Sequence, residues 1–241
     1  MLKILFSPSE GKKNAGKEIA KELLGSNDAR ATIFKEYNTI VDNPDEEIIK
    51  VLFGFKKYSE CQPYINNLFK SPLMCAIERY RGVAYDYLKY DSMTEIQQEF
   101  LKKNTIIFSN LYGPIFGGDT IANYKVKQGN NIGSITPDIF YKKRFSYQLD
   151  LYLANDEILD LRAGYYDKFY KVTKNYTTLK FLKNGKTVSH WAKAYRGIVL
   201  REIAKHNISS IEEFKSLEIE GLQIKEIKII KNKTEIIYNI V

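Results

Sequence analysis

The chain has 241 residues, 44% of them hydrophobic, and a formal net charge of +8. That length suits one large domain or two small ones with a sizeable core, which excludes a disordered chain. No apolar run nears the roughly 18 residues of a membrane span. The apolar segment of the N-terminal "MLKILFSPSEGKK" is also shorter than the roughly 7–15 residues of a signal-peptide core, so a cytoplasmic location with no membrane partner is expected.

In chain order, "LKILF" reads as a short buried strand, first in a sheet. It runs into "SPSEGKK", Ser7 to Lys13, which has the look of a loop opening a helix. Asn43-Pro44 reads as a cap followed by proline at the first helical position, and "DEEIIKVLFGF" continues that helix with acids in its first turn. "SMTEIQQEFLKK" places Ser92 and Glu95 at capping-box spacing. "NTIIFSNLYG" is a second buried strand, a helix begins near Pro137, and "DEILDLRA" is a third strand. Asn184-Gly185 takes the positive φ angles of a tight turn, so "TTLKFLKNGKTVSHW" reads as a hairpin. A helix over "WAKAYRGIVLREIAKH", a short helix at "SSIEEF", and a terminal hairpin around Asn232-Lys233 complete the pattern. No internal boundary or repeat appears. The expected fold is α+β or α/β, a single domain over residues 1–241 with a mixed sheet surrounded by helices and a C-terminal β-hairpin.

The charge is not spread evenly. Lys171, Lys174, Lys180, Lys183, Lys186, Lys193, Arg196, Arg201 and Lys205 face a single acid, Glu202, between Lys171 and His206. Subtracting these from the totals of 37 bases and 29 acids leaves 28 of each elsewhere, so one 36-residue segment holds the whole surplus. A localised basic stripe is the footprint of a polyanion partner, although a solvated surface gives the same count. On the helix from Trp191, the residues Trp191, Tyr195, Ile198 and Val199 fall on one side, and Lys193, Arg196, Arg201 and Lys205 on the other.

"SPSEGKK" raises the idea of a nucleotide loop and fails its tests. A Walker-type loop needs glycine where Phe6 stands and a hydroxyl where Lys13 stands. What remains is an anion site in which Ser7 supplies a hydroxyl, Gly11 a close backbone approach, and Lys12 and Lys13 charge beside a helix start, set against an ordinary solvated turn. In "SNLYGPIFGGD", Gly113-Pro114 forces a loop at a strand end, where ligands of open sheets often sit, with Tyr112, Asp119, Tyr124 and Lys125 close by. Cys61 and Cys75 form no close-spaced pair, and no Cys/His cluster has ligand spacing, so no metal or cofactor is expected. No motif argues for a specific reaction.

Taken together and in order, "LFSPSEGKK", "AIERYRGVAYDYL", "FSNLYGPIFGGDTIANYKVKQG", "EILDLRAGYYDKFYK", "HWAKAYRGIVLREI" and "SLEIEGLQI" resemble the YaaA-type peroxide-stress proteins of bacteria over nearly the whole chain. Ser7, Pro8 and Lys12 match the family's opening; Tyr80, Arg81, Gly82 and Tyr85 its aromatic-glycine element; Leu111, Tyr112, Gly113, Asp119 and Tyr124 its central run; and Ala192, Lys193, Arg196 and Gly197 its helix start. The sequence departs from the pattern at Lys125, where the family has arginine, at Lys127, where it has an acid, and around Phe140 to Lys143, where its Trp-Gly is absent. The resemblance implies a role in surviving hydroperoxide stress, linked to limiting iron-promoted damage, and DNA binding through a positively charged cleft and a helix-hairpin-helix-like turn, for which "YRGVAYDYL" and "LYGPIFGG" both stand open. The expectation is therefore a monomeric, non-enzymatic DNA-binding protein contacting phosphates through Lys171, Lys174, Lys193, Arg196, Arg201 and Lys205. The alternative is an enzyme or small-ligand protein whose phosphate or carboxylate pocket gathers Ser7, Lys12, Lys13, Arg81, Gly82, Tyr112, Gly113, Asp119, Tyr124 and Lys125.

Overall fold

Five successive buried residues, Leu2–Phe6, form strand β1 at the centre of a mixed sheet, because a strand covered on both faces needs no polar alternation. The computed structural model describes residues 1–17, 28–188 and 190–241. After β1 come β2 (Gly11–Lys12), α1 (Asp28–Asp42), α2 (Glu46–Phe53), β3 (Leu73–Cys75), α3 (Ala76–Arg79), β4 (Tyr80–Arg81), α4 (Val83–Leu88), α5 (Glu95–Asn104), β5 (Thr105–Ser109), β6 (Gly113–Phe116) and β7 (Thr120–Ala122). The second half contains α6 (Pro137–Tyr152), β8 (Glu157–Asp160), β9 (Tyr176–Lys183), β10 (Lys186–Thr187), α7 (His190–Lys205), α8 (Ile211–Ser216), β11 (Leu222–Ile230) and β12 (Lys233–Ile240). The main sheet runs β11-β12-β9-β8-β1-β5-β6, with β10 hairpinned on β9. Pairings from β12 through β9, β8 and β1 to β5 are parallel, whereas β6 and β11 pair antiparallel at the two edges.

The three expected strands are present, as are the helix from Pro137 and the hairpin at Asn184-Gly185, whose φ values of 51° and 75° close a tight turn. Two helix starts are displaced. The cap before α2 is Asp45, whose carboxylate accepts from the backbone N–H groups of Glu47 and Ile48, and not Asn43-Pro44. The capping box of α5 is Thr94 with Gln97, and Ser92 instead closes the preceding turn. No helix opens directly after "SPSEGKK". Gly11–Lys12 pairs as β2 with Tyr80–Arg81, and residues 13–17 continue extended until Lys17 bridges to Leu73. Residues 18–27 lie outside the described residues. The terminal hairpin turns at Lys231, one residue ahead of expectation.

Two long-range devices hold the N-terminal loop in place. Arg79, fully buried, donates to the carbonyls of Lys13, Ala15, Pro72 and Ile121, so one guanidinium ties four backbone segments together. At Gly82, with φ of 125°, a β-carbon would lie 2.7 Å from Ser9 Oγ, so glycine lets the start of α4 approach the loop.

Candidate anion-binding cleft

β1 and β8 are parallel neighbours whose connections leave in opposite directions across the sheet, β1 towards β5 and β8 towards β9. The crevice outside the carboxyl ends of such a pair is the switch point where open sheets take ligands. Here it forms a cleft of about 320 Å³ whose lining includes Ser7, Ser9, Glu10, Gly82, Lys193 and Arg196. The Ala163 N–H donates to Ser7 Oγ at 2.8 Å, tying the loop after β1 to the loop after β8. The Tyr85 hydroxyl donates to the Ser7 carbonyl at 2.9 Å and fixes α4 against the same loop. Tyr85 and Tyr166, both buried, give the cleft apolar walls.

Helix α7 delivers the cationic side. Its buried residues Tyr195, Val199, Leu200 and Ile203 dock it onto the core, while Trp191, on the same side in the helical pattern, stays 41% exposed beside Tyr195. Arg196 is half-buried and makes no hydrogen bond or ion pair with any described residue. Burial pulls its guanidinium below the usual arginine range, a pull that Asp160 opposes through space. Lys193 is exposed at the rim.

Facing the same space is Glu10, which sequence reasoning passed over although it stands within "SPSEGKK". Its carboxylate accepts from Lys125 Nζ at 3.1 Å and from the Gln128 N–H at 3.1 Å. Burial pushes this carboxyl up, but those two donors outweigh it and hold it below the ordinary glutamate range, so it stays ionised at neutral pH. Glu10 and Gln128 had one signal available, their places inside two of the six family-like stretches.

The structure separates the remaining site residues into three groups. Lys12 is half-buried as a residue, but its ammonium is enclosed over the Tyr124 ring, 3.8 Å from the centroid, and donates to the Ser9 and Glu10 carbonyls. Desolvation, aided by repulsion from Lys125, holds its pKa well below the usual lysine value. Lys13 and Arg81 are instead paired with Asp91, at 2.8 and 3.3 Å. Tyr112, Gly113, Asp119 and Tyr124 are buried and do not line the cleft. The Tyr112 hydroxyl accepts from the Ala122 N–H, Asp119 accepts from the Phe116 N–H, and Gly113 begins strand β6, so "LYGPIFGG" is a sheet corner, whereas Gly82 of "YRGVAYDYL" stands between β4 and α4.

Of the six basic residues expected to contact phosphate, Lys193 and Arg196 meet in the cleft. Arg201 and Lys205 both bond Glu202 Oε1, and Lys174 donates to the carbonyls of Leu153, Ala154 and Asp156 at the end of α6. Lys171 is exposed. Among the described residues no group of three His, Cys, Asp or Glu side chains is placed to hold a metal ion, and no helix is long and apolar enough to cross a membrane.

Several tyrosine hydroxyls of the core are buried. Ser109 Oγ accepts two backbone N–H groups, so its proton goes to Tyr124 and that of Tyr124 to Tyr80. Burial pushes Tyr80, Tyr90 and Tyr238 up to about 12. Below pH 10 neither state ionises these phenols; above it the unfolded chain loses the protons first and is favoured. Stability is therefore expected to fall between pH 10 and 12, with Tyr80 alone contributing on the order of 3 kcal/mol. Denaturant midpoints measured together with tyrosinate absorbance test this, and a flat stability profile across that window would contradict it.

A mixed α/β sheet with a crevice at its switch point, walled by Arg196 and Lys193, neither of which has a charged partner among the described residues, defines an α/β protein with a cationic cleft. The chain belongs to the family described as peroxide stress protein YaaA, which matches residues 2–228. It is similar to an uncharacterised protein of Campylobacter jejuni, 42% identical with 99% of each chain covered. It is also similar to a UPF0246 protein of Fusobacterium nucleatum, 28% identical over 93% of this chain and 94% of that one, and to one of Clostridioides difficile, 30% identical over 63% and 65%.

Proposed function

We propose that this member of the peroxide-stress family binds DNA through its phosphate backbone at the cleft, and that the protection against iron-promoted damage implied by the resemblance is exerted there. The observation that carries the reading is Arg196. A guanidinium that is half-buried, lines a cleft and has no partner among the described residues has lost hydration without an internal replacement, and a phosphate oxygen supplies one. Lys193 adds a second charge at the rim, and the Ser7 hydroxyl, which already accepts from Ala163, keeps its proton for a ligand. The proposed contact set is narrower than the basic stripe. Arg201, Lys205 and Lys174 have internal partners and serve α7 and α6, and Lys171 contributes long-range attraction.

Each neutralised phosphate adds about 0.9 to the slope of log affinity against log salt. Anisotropy of a labelled duplex titrated in salt is expected to weaken steeply, and Lys193→Ala with Arg196→Ala to flatten the slope by about 2 while weakening all sequences alike. Lys205→Ala is expected to change neither by much. Binding that ignores salt, or a double variant indistinguishable from wild type, sinks the reading.

A further inference from the structure

The cleft contains more than an anion site needs. A phosphate calls for cations and hydroxyls, and an ionised carboxylate repels it. Yet Glu10 stands in the same cleft, held ionised by Lys125 and the Gln128 N–H, with its side chain still 42% exposed. Each carboxylate oxygen accepts one of those bonds and keeps a second lone pair, so Glu10 has unused acceptor capacity for an N–H donor. The rest of the lining is largely apolar and includes the buried Tyr85 and Tyr166 beside Phe6, Val83 and Leu161. A ligand matching all of these surfaces carries an anion, a flat apolar body and an amine donor. The volume of about 320 Å³ lies at the low end of small-ligand cavities, roughly 300–1,000 Å³, which admits one nucleotide and not a base pair.

We infer that the cleft binds a single nucleotide whose base bears an exocyclic amine, the phosphate meeting Arg196 and Lys193 and the amine donating to Glu10. This rests on the phosphate reading above and adds the substrate class. Carboxylate acceptance from cytosine N4 is an established mode of base readout, and a base that presents a carbonyl in that position meets repulsion instead. The nucleotide comes either free from solution or out of a strand by unstacking, which costs least where the base is unpaired.

The test compares dCMP with dUMP, which differ at the 4-position in presenting an amine or a carbonyl. Calorimetric titration of the full chain is expected to give about tenfold tighter binding of dCMP, and Glu10→Gln to bring the two within about twofold, because an amide can donate to the carbonyl. Equal affinity of wild type for dCMP and dUMP, or affinity for both no greater than for inorganic phosphate, overturns the inference without any variant having to fold. Two duplexes, one fully paired and one with a single unpaired cytosine, separate the sources. Tighter binding of the second assigns the nucleotide to a strand, and equal binding alongside dCMP preference assigns a free nucleotide. Salt-dependent duplex binding without dCMP preference defeats this inference and leaves the backbone reading standing; loss of salt-dependent duplex binding defeats the backbone reading itself.

Discussion

Replacing Arg162 with methionine is expected to lower stability by about 3–5 kcal/mol, the range for breaking a buried ion pair by removing one partner. Arg162 has a side-chain exposure of 1% and Asp160 of 7%, and they pair through two bonds, Nε to Oδ1 at 2.9 Å and Nη2 to Oδ2 at 2.7 Å. The substitution leaves Asp160 charged, buried and short of its main donor. It also frees the carbonyls of Tyr166 and Tyr170, which accept from Arg162 Nη1, and so loosens the turn that carries the Tyr166 wall of the cleft. Removing both charges, Asp160→Asn with Arg162→Met, is expected to recover part of the loss, because the uncompensated charge is the costly element. Chemical denaturation of the two variants and wild type decides it. A single variant within about 1 kcal/mol of wild type would falsify the claim that this pair supports the loops beneath the cleft.

The fold was legible in the sequence wherever the deciding interaction is local. "LKILF" and "TIIFS" are buried throughout and read as near-continuous apolar runs, "EILD" buries Ile158 and Leu159, and Asn184-Gly185 sets its own turn. Helix caps were legible only to within two residues, since Asn43 and Asp45, or Ser92 and Thr94, are equally good acceptors on paper and the backbone path selects between them. The pairing of Gly11–Lys12 within "SPSEGKK" was not legible, because its partner, Tyr80–Arg81, lies about seventy residues away.

The cleft was legible in part for the same reason. The sequence places Ser7 and Lys12 in the alternative ligand pocket and Lys193 and Arg196 among the phosphate contacts; Ser7, Lys193 and Arg196 line one crevice, whereas Lys12 is enclosed beneath it over the Tyr124 ring. How many charges of the basic stripe stay available was not legible, because that depends on acceptors fixed by tertiary structure: Glu202 takes two, and the end of α6 takes Lys174. The +8 count thus overstates the charge available at the cleft. Arg196 stands apart because α7 carries it inwards, against the expectation that it lies on the outer face of the helix. What places it there is the close approach of α7 to α4.

That approach depends on Gly197. A β-carbon there would lie 1.9 Å from the Ala84 carbonyl oxygen and 2.8 Å from its carbon, both backbone atoms of α4 that cannot rotate away. Two effects of Gly197→Ala oppose each other. Alanine favours a helix interior by about 1 kcal/mol over glycine, whereas overpacking a well-filled contact costs about 1–3 kcal/mol and more when the obstacle is rigid. With the clash so far inside contact distance, the second is expected to win, for a net loss of about 2 kcal/mol or more and a lower Tm. The same displacement moves Arg196 and Lys193, on α7, away from Gly82 and Ser7, on the α4 side of the cleft, so phosphate affinity is expected to fall with stability. Gly164→Ala provides the control, since nothing lies within 4 Å of its added carbon and its φ is not positive; it is expected to stay within about 0.5 kcal/mol of wild type. Thermal melts and duplex binding on both variants discriminate. If Gly197→Ala matches wild type in Tm and affinity, the α4–α7 contact does not set the cleft. If it loses both while Gly164→Ala loses neither, the width of that contact is what holds Arg196 in place.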